Sequence, residues 1–182
     1  MASTYTTFLG LEKPGTGEQS GTWGDTTNTN MDMLDQAVDG IISVTLSATG
    51  STGSPNSLPI TDGAVSNGRN KYIEFVDGGD IGGTVYVALT PNDAEKVVYF
   101  RNSLSGSRSI LMFQGTYNAS NDFELLAGKD YVLKFNGGGS GATVTDVNAD
   151  LTVTALTATT LNATTFTASG VITGLTVEAT GD

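Results

Sequence analysis

The chain has 182 residues and a formal net charge of −11, from 19 acidic and 8 basic residues. Because phosphate groups are bound by clustered lysine and arginine, this balance argues against a nucleic-acid partner. The absence of His and Cys removes the commonest general base and metal ligand, and it rules out disulfide bonds and thiolate metal sites. The N-terminus carries no basic segment and no long apolar run, so we expect no signal peptide and no membrane insertion.

The first predicted domain, residues 1–42, consists of an extended arm and one short helix. The arm, residues 5–24, contains five Gly and one Pro among scattered polar residues, a composition typical of turns. A helix is predicted from Thr26 to Asp39, with Gly40 directly after it, where glycine is favoured. Its apolar face recurs at helical spacing and comprises Met31, Leu34, Val38 and Ile41. A second face is acidic, and we interpret it as solvated rather than metal-binding: Asp32, Asp35 and Asp39.

A single amphipathic helix cannot bury its own apolar face, and the sequence leaves two interpretations open. In the first, the helix covers one end of the following β domain. In the second, arm and helix form a docking module for another protein or for sister chains. Trp23 is then the favoured anchor, because a large ring with one N–H suits a partner pocket. The second interpretation predicts an attachment interface made by Phe8, Leu9, Leu11, Trp23, Met31, Leu34 and Val38.

Residues 43–137 predict a small all-β domain, because apolar and polar residues alternate there and turn-forming clusters separate the runs. The predicted strands are Ser43–Ser47, Lys71–Asp77, Thr84–Thr90, Lys96–Asn102, Ser109–Gln114 and Asp130–Asn136. Strands at this spacing favour an antiparallel sandwich or a partly open barrel, with an antiparallel hairpin over Lys96–Gln114. The predicted core comprises Ile73, Phe75, Val85, Val87, Leu89, Val98, Phe100, Leu111, Phe113, Leu125, Tyr131, Leu133 and Phe135.

The β domain offers little that suits catalysis or ligand chemistry. Asp77 and Asp80 are separated by two glycines, and we interpret this DGGD segment as a turn rather than a Ca²⁺ site. The sequence contains no nucleophile motif and no marked carboxylate pair, and Gly137–Gly141 lacks the Lys and Ser or Thr that complete a phosphate loop. We therefore expect no enzymatic activity, no cofactor and no metal.

The third predicted domain, residues 138–182, joins a Gly-rich hinge to a Thr-rich repeat. Large apolar residues recur every five positions in the repeat, at Leu151, Leu156, Leu161, Phe166 and Val171. A five-residue step builds neither a helical stripe nor one face of a straight strand, and it buries too little apolar surface to order one chain alone. The pattern therefore predicts a trimeric β-repeat shaft held together by sister chains. The alternative is a disordered tail.

Three segments of the chain resemble tail-fibre-like proteins of tailed bacteriophages, especially marine ones. The first, from Leu9 to Asn30, contains LGLEKP, GEQSGTWG and DTTNTN, which resemble the Pro-containing arm, S-G-T-W-G element and Asn-rich turn of those proteins. The second, from Asp62 to Ala142, resembles their β module through Arg69-Asn70 and Ala127-Gly128, each of which precedes a predicted strand. The third is the Thr-rich repeat, which is similar to their shaft.

The resemblance implies a structural virion protein, a fibre that is anchored to the phage tail by its N-terminus and projects a trimeric shaft for host adsorption. Its expected partners are two sister chains and a tail adaptor, nozzle or other virion protein. Its expected location is the virion, as a tail appendage. The alternative function is a glycan-binding adhesin module, in which the aromatic stacking platforms are Tyr86, Tyr99 and Tyr117.

Overall fold

The structure is a computed structural model and describes residues 2–149. These residues form a mainly β fold with one helix, α1 (Trp23–Asp39), and two large open sheets. A short arm hairpin, made by β1 (Thr4–Tyr5) and β2 (Glu12–Lys13), precedes the helix. The other strands are β3 (Ile41–Leu46), β4 (Asn56–Pro59), β5 (Tyr72–Asp77), β6 (Val85–Thr90), β7 (Glu95–Asn102), β8 (Ile110–Gln114), β9 (Phe123–Leu125), β10 (Asp130–Asn136) and β11 (Val144–Asp146).

After the helix, the chain alternates between the two sheets. Strands β3, β5 and β7 are parallel neighbours in a five-stranded sheet of order β11-β10-β7-β5-β3. Strands β4, β6 and β8 are parallel neighbours in a four-stranded sheet of order β4-β6-β8-β9. Each pass therefore stacks on the previous one, as in a short β-solenoid. Strands β9, β10 and β11 then complete the two sheets with antiparallel pairs.

The predicted antiparallel sandwich is therefore wrong in its strand pairing, and the predicted hairpin over Lys96–Gln114 does not form, because β7 and β8 belong to different sheets. Alternation of apolar and polar residues is the same for parallel and antiparallel strands, so it locates strands without fixing their partners. A buried side chain helps to turn the chain between the sheets. Asn102 Nδ2 donates to the carbonyls of Arg108 and Leu125 at 2.8 Å each, and Asn102 Oδ1 accepts the Leu104 amide.

The inner faces of both sheets share one core. Phe75 and Phe100 stack with ring centroids 5.7 Å apart, and Phe135 meets Phe100 edge to face at 6.0 Å. Most of the predicted core is confirmed by this cluster. Its buried members are Leu46, Leu58, Ile73, Phe75, Val85, Val87, Leu89, Val98, Phe100, Leu104, Ile110, Met112, Leu125, Leu133, Phe135 and Val144.

Strand β8 is where the predicted core is wrong. Ile110 and Met112 enter the shared core, whereas the predicted Leu111 is only half-buried. Phe113 is buried as predicted but outside the shared core, where it packs edge to face on Tyr117 at 5.3 Å. The run ILMFQ is apolar at four consecutive positions, so alternation within it leaves the inward face undetermined.

The helix also differs from its predicted bounds. It begins at Trp23 rather than Thr26, and Ile41, predicted on the apolar helix face, is the first residue of β3. Gly40 follows the helix as predicted, but with φ −64° and ψ 130° it is extended rather than left-handed. Glycine is needed there for space, because a Cβ would overlap the Gln36 carbonyl oxygen and the side chain of Asn70.

The Gly-rich run predicted as a flexible hinge packs on the β domain instead. Gly139–Gly141 forms a single 3₁₀ turn, in which the Gly139 amide donates to the Asn92 carbonyl at 3.1 Å. Ala142 directly after it is fully buried, and β11 then pairs with β10, so the five-stranded sheet continues past residue 137. The predicted shaft residues lie outside the described residues: Leu151, Leu156, Leu161, Phe166 and Val171.

Candidate attachment surface

The N-terminal arm is hydrogen-bonded to both the helix and the β domain. On the helix side, the Glu12 amide donates to Asn30 Oδ1 at 2.9 Å, and Asn30 Nδ2 donates to the Glu12 carbonyl at 2.8 Å. On the domain side, the guanidinium of the buried Arg69 donates to the carbonyls of Leu9 and Thr61. These bonds fix the path of the arm across one end of the β domain.

The face of α1 that packs on the β domain differs from the apolar face expected from the sequence. Met33 has no exposed surface, and Gln36 Oε1 accepts the Ser66 amide at 3.0 Å. At 100° per residue, Asn30, Met33 and Gln36 lie on one side of the helix. Gln36 thus docks on a main-chain amide of the domain, Asn30 docks on the main chain of the arm, and one methionine fills the apolar space. Through this face, the helix covers one end of the β domain.

The expected apolar face of α1 is turned away from the β domain. Trp23, Met31 and Val38 keep 64 %, 60 % and 65 % of their surface exposed, and Leu34 among them is half-buried. At 100° and 1.5 Å per residue, the four side chains lie within about 80° of one another along roughly 22 Å of helix. We call Trp23, Met31, Leu34 and Val38 the helix stripe. Trp23 is therefore available to a partner rather than packed on its own domain.

An acidic face runs beside the helix stripe. Asp25, Asp32, Asp35 and Asp39 are all exposed, and the sequence of α1 contains no Lys or Arg. Lys71 Nζ lies 3.6 Å from Asp39 Oδ1, but both side chains are largely exposed, and such surface pairs contribute little to stability. The helix stripe is therefore bordered by negative charge that α1 itself does not balance.

The other predicted attachment residues lie on the arm. Phe8 is 71 % exposed, whereas Leu9 and Leu11 are half-buried. Phe8 and Leu9 line a groove of about 260 Å³ with Ala37 of α1 and Val97 of β7. The structure thus places six of the seven predicted residues in two locations, the groove beside the arm and the helix stripe, whereas Leu11 lies on the arm outside both.

Two cationic side chains also line this groove. Arg69 is 1 % exposed, and within residues 2–149 its Nε has no hydrogen-bond partner. Lys96 of β7 donates from Nζ to the carbonyls of Gly68, at 2.8 Å, and Arg69. Burial, reinforced by repulsion from Arg69, lowers the pKa of Lys96 to about 7. Burial also lowers the pKa of Arg69, against the attraction of Asp62.

The burial of Arg69 and Lys96 was not predicted, because a hydrophobic pattern carries no record of a buried charge. One signal was present. Lys96 occupies the same face of β7 as Val98 and Phe100, so an alternating strand already placed a lysine toward the interior.

The shifted Lys96 predicts a stability that rises with pH. Between the folded pKa of about 7 and the ordinary value of 10.5, the unfolded chain binds a proton that the folded chain releases. The free energy of unfolding should therefore increase from pH 7 toward pH 9.5, with a limiting slope of about 1.4 kcal/mol per pH unit. Urea unfolding at several pH values measures this increase.

Lys96→Met should abolish most of that increase, whereas Lys134→Met, which removes an exposed lysine of β10, should leave it unchanged. Equal pH slopes in the wild-type protein and in Lys96→Met would contradict the assignment of the effect to Lys96.

Asp77 and Asp80 of the DGGD segment accept hydrogen bonds within the fold. Asp80 accepts from Arg108 Nε and Nη2 at 2.8 and 2.9 Å and from the Gly82 amide at 2.9 Å. The Arg108 hydrogen bonds, with that of Gly82, lower the pKa of Asp80 to about 2. Asp77 accepts the amide and hydroxyl of Ser105. Over residues 2–149, the structure contains no cluster of three or more acidic side chains able to hold a metal ion.

The three tyrosines considered as glycan platforms are not brought together. Tyr86 and Tyr117 meet edge to face with ring centroids 5.9 Å apart, and both are half-buried. Tyr99 lies on β7, in the other sheet, and is 46 % exposed. The three side chains therefore do not form one stacking surface.

Comparison with protein-family models, with curated proteins and with solved structures found no match to this chain. In the part of the chain that the structure describes, no helix is long and apolar enough to cross a membrane.

Proposed function

We propose that this chain is a structural protein of a phage virion, a fibre subunit that attaches to a tail protein through its N-terminal region. Its C-terminal repeat joins it to two sister chains in a trimeric shaft that serves host adsorption. The proposal draws on the resemblance of the N-terminal segment to tail-fibre-like proteins and on the five-residue apolar repeat. It is supported most strongly by the surface of α1.

The observation that carries the proposal is the exposed Trp23 at the head of the helix stripe. Another face of α1 packs on the β domain and holds the helix in place. The helix stripe therefore remains as exposed apolar surface on an ordered helix. Contiguous exposed apolar surface usually marks a protein interface, and tryptophan is the side chain most enriched among residues that dominate binding energy. A preformed helix also binds without paying the entropy of ordering.

The charge around the stripe specifies the kind of partner. Asp25, Asp32, Asp35 and Asp39 border it without a basic residue on the same helix. The complementary surface is therefore an apolar groove with lysine or arginine on its rim. Rim charges of this kind mainly raise the association rate and fix the orientation of the complex, while the apolar anchor supplies the affinity.

Trp23→Ala should leave the protein folded and remove it from virus particles. The side chain makes few contacts within its own domain, so circular dichroism and the melting temperature should stay close to those of the wild-type protein. Loss of an aromatic side chain that dominates an interface costs about 2–4 kcal/mol, which weakens binding roughly 30- to 1,000-fold. Protein composition of purified particles measures the result.

Leu126→Ala is the matched control, because Leu126 is also a large exposed apolar residue, at 51 %, but lies beside β9. The Leu126→Ala protein should be incorporated into virus particles at the wild-type level. Normal incorporation of Trp23→Ala would contradict the role of the stripe. A lowered melting temperature in Trp23→Ala would instead assign Trp23 to packing on its own domain.

A further inference from the structure

The outer face of the five-stranded sheet carries a row of apolar side chains that crosses every strand. The strand registers place Ile41 beside Tyr72, Tyr72 beside Tyr99, and Tyr99 beside Val132. Val147, directly after β11, continues the row, since its amide donates to the Val132 carbonyl at 2.9 Å. We call Ile41, Tyr72, Tyr99, Val132 and Val147 the sheet row. At about 4.8 Å between strands, it spans roughly 19 Å.

The sheet row is exposed and continuous. Ile41, Tyr99 and Val147 keep 77 %, 46 % and 54 % of their surface exposed. Ile41, Tyr72 and Tyr99 line one shallow groove, and Tyr72, Tyr99 and Val132 line the next. Aromatic and β-branched side chains in neighbouring registers pack flat against one another, so the row presents a smooth apolar surface rather than isolated residues.

We infer that the sheet row is the surface through which the β domains of sister chains pack on one another. This inference rests on the trimer of the proposed function and adds a second interface to it, in a part of the chain remote from the repeat. The occupant of the row is therefore a second copy of this chain.

The position of Val147 favours this occupant. The five-residue repeat begins at Leu151, only four residues later in the sequence. A fully extended chain advances at most about 3.6 Å per residue, so the four residues that follow Val147 can span no more than about 14 Å. Three chains joined through the repeat would therefore be tethered to one another by a short link that follows the last residue of the sheet row.

The charges beside the row favour the same occupant. Copies of a chain with net charge −11 repel one another, so they associate best through a face where acidic charge is partly offset by a basic side chain. In the neighbouring register, Arg101 Nη1 lies 2.8 Å from Asp130 Oδ2, and Arg101 Nε lies 3.9 Å from Glu74 Oε1. Tyr72 OH also donates to Asp130 at 3.1 Å. This face thus differs from α1, whose aspartates have no basic residue on the same helix.

The experiment measures the distance between sister domains in the full chain. Because the sequence contains no Cys, Thr145→Cys places a single spin label on the exposed side of β11. Electron–electron resonance distances between labels should show one narrow distribution. Tyr99→Asp, in the same labelled chain, should broaden it at least twofold, because three buried carboxylates would force the domains apart. Sedimentation of each sample gives the oligomeric state.

A second row variant and a control variant accompany Tyr99→Asp. Ile41→Asp repeats the test at the most exposed position of the row, where the fold loses almost no contact, and circular dichroism checks both variants. Val65→Asp is the control, since Val65 is 54 % exposed but lies outside both sheets, and it should leave the narrow distribution intact.

The outcomes separate this inference from the proposed function. The sheet-row interface is contradicted if the chain is a trimer whose label distances are already broad without a row substitution. It is also contradicted if Tyr99→Asp and Ile41→Asp leave the distances unchanged. Either result leaves the fibre proposal standing. A chain that sediments as a monomer overturns both. A narrow distribution that only the two row variants broaden supports the interface.

Discussion

Phe100→Ala is expected to lower the free energy of unfolding by about 3–5 kcal/mol, the range for truncating a fully buried phenylalanine. Phe100 has no exposed surface and lies on β7, between β5 and β10 in the five-stranded sheet. Its ring stacks on Phe75 and meets Phe135 edge to face, so truncation removes two aromatic contacts and leaves a cavity that β strands on both sides prevent from collapsing. Since small domains are stable by about 5–15 kcal/mol, this is a large fraction of the total.

Phe8→Ala is the matched control, because Phe8 has the same side chain but is 71 % exposed. Chemical denaturation followed by circular dichroism should show a much lower midpoint for Phe100→Ala and no change for Phe8→Ala. Similar midpoints for the two variants would mean that the two sheets do not share the core described above.

Arg69→Met is expected to detach the N-terminal arm and to lower the free energy of unfolding by about 2 kcal/mol. The substitution removes two part-buried hydrogen bonds from a charged donor, to the carbonyls of Leu9 and Thr61, and a hydrogen bond to a charged group contributes about 1.5–3 kcal/mol. It also removes a buried cation, which returns part of that cost. The two lost hydrogen bonds cost more than the removal of the buried cation returns, because methionine fills the space but offers no donor.

The arm should respond more than the rest of the domain. Hydrogen exchange at the amides of Leu11 and Glu12 should accelerate at least tenfold in Arg69→Met, while amides in β7 and β10 keep most of their protection. Arg108→Met is the control, because its ion pair with Asp80 makes no bond to the arm and its loss should leave the exchange of the Leu11 and Glu12 amides unchanged. An arm that remains protected in Arg69→Met would show that its other bonds suffice, those to α1 and the one from the Gly63 amide to the Gly10 carbonyl.

The positions of most strands were predictable from the sequence, whereas their pairing was not. Strand β10 was predicted with its bounds, Asp130–Asn136, because a two-residue period between turn signals is a local property. Pairing depends instead on where the chain turns, and here buried polar side chains take part in the turns. Gln114, fully buried, donates to the carbonyls of Pro91 and Ala94 and accepts the Gly137 amide. No hydrophobic pattern marks such a residue.

The helix that carries the candidate site was predictable from the sequence, but the face that it turns to the domain was not. The apolar spacing of Met31, Leu34 and Val38 correctly identified one side of a helix, and the sequence alone offered two partners for it. The domain took the side of Met33, where Gln36 matches a main-chain amide of the domain and Asn30 matches the main chain of the arm. Choosing between the two sides requires knowledge of the surface they meet, which only the folded domain supplies.

The most direct test of the proposed virion role is the location of the chain on purified phage particles. Immunogold electron microscopy with antibodies raised against residues 2–149 should label an appendage that projects from the tail. Particles that carry no gold and contain no peptide of this chain by mass spectrometry would contradict the proposal that it is a structural protein of the virion.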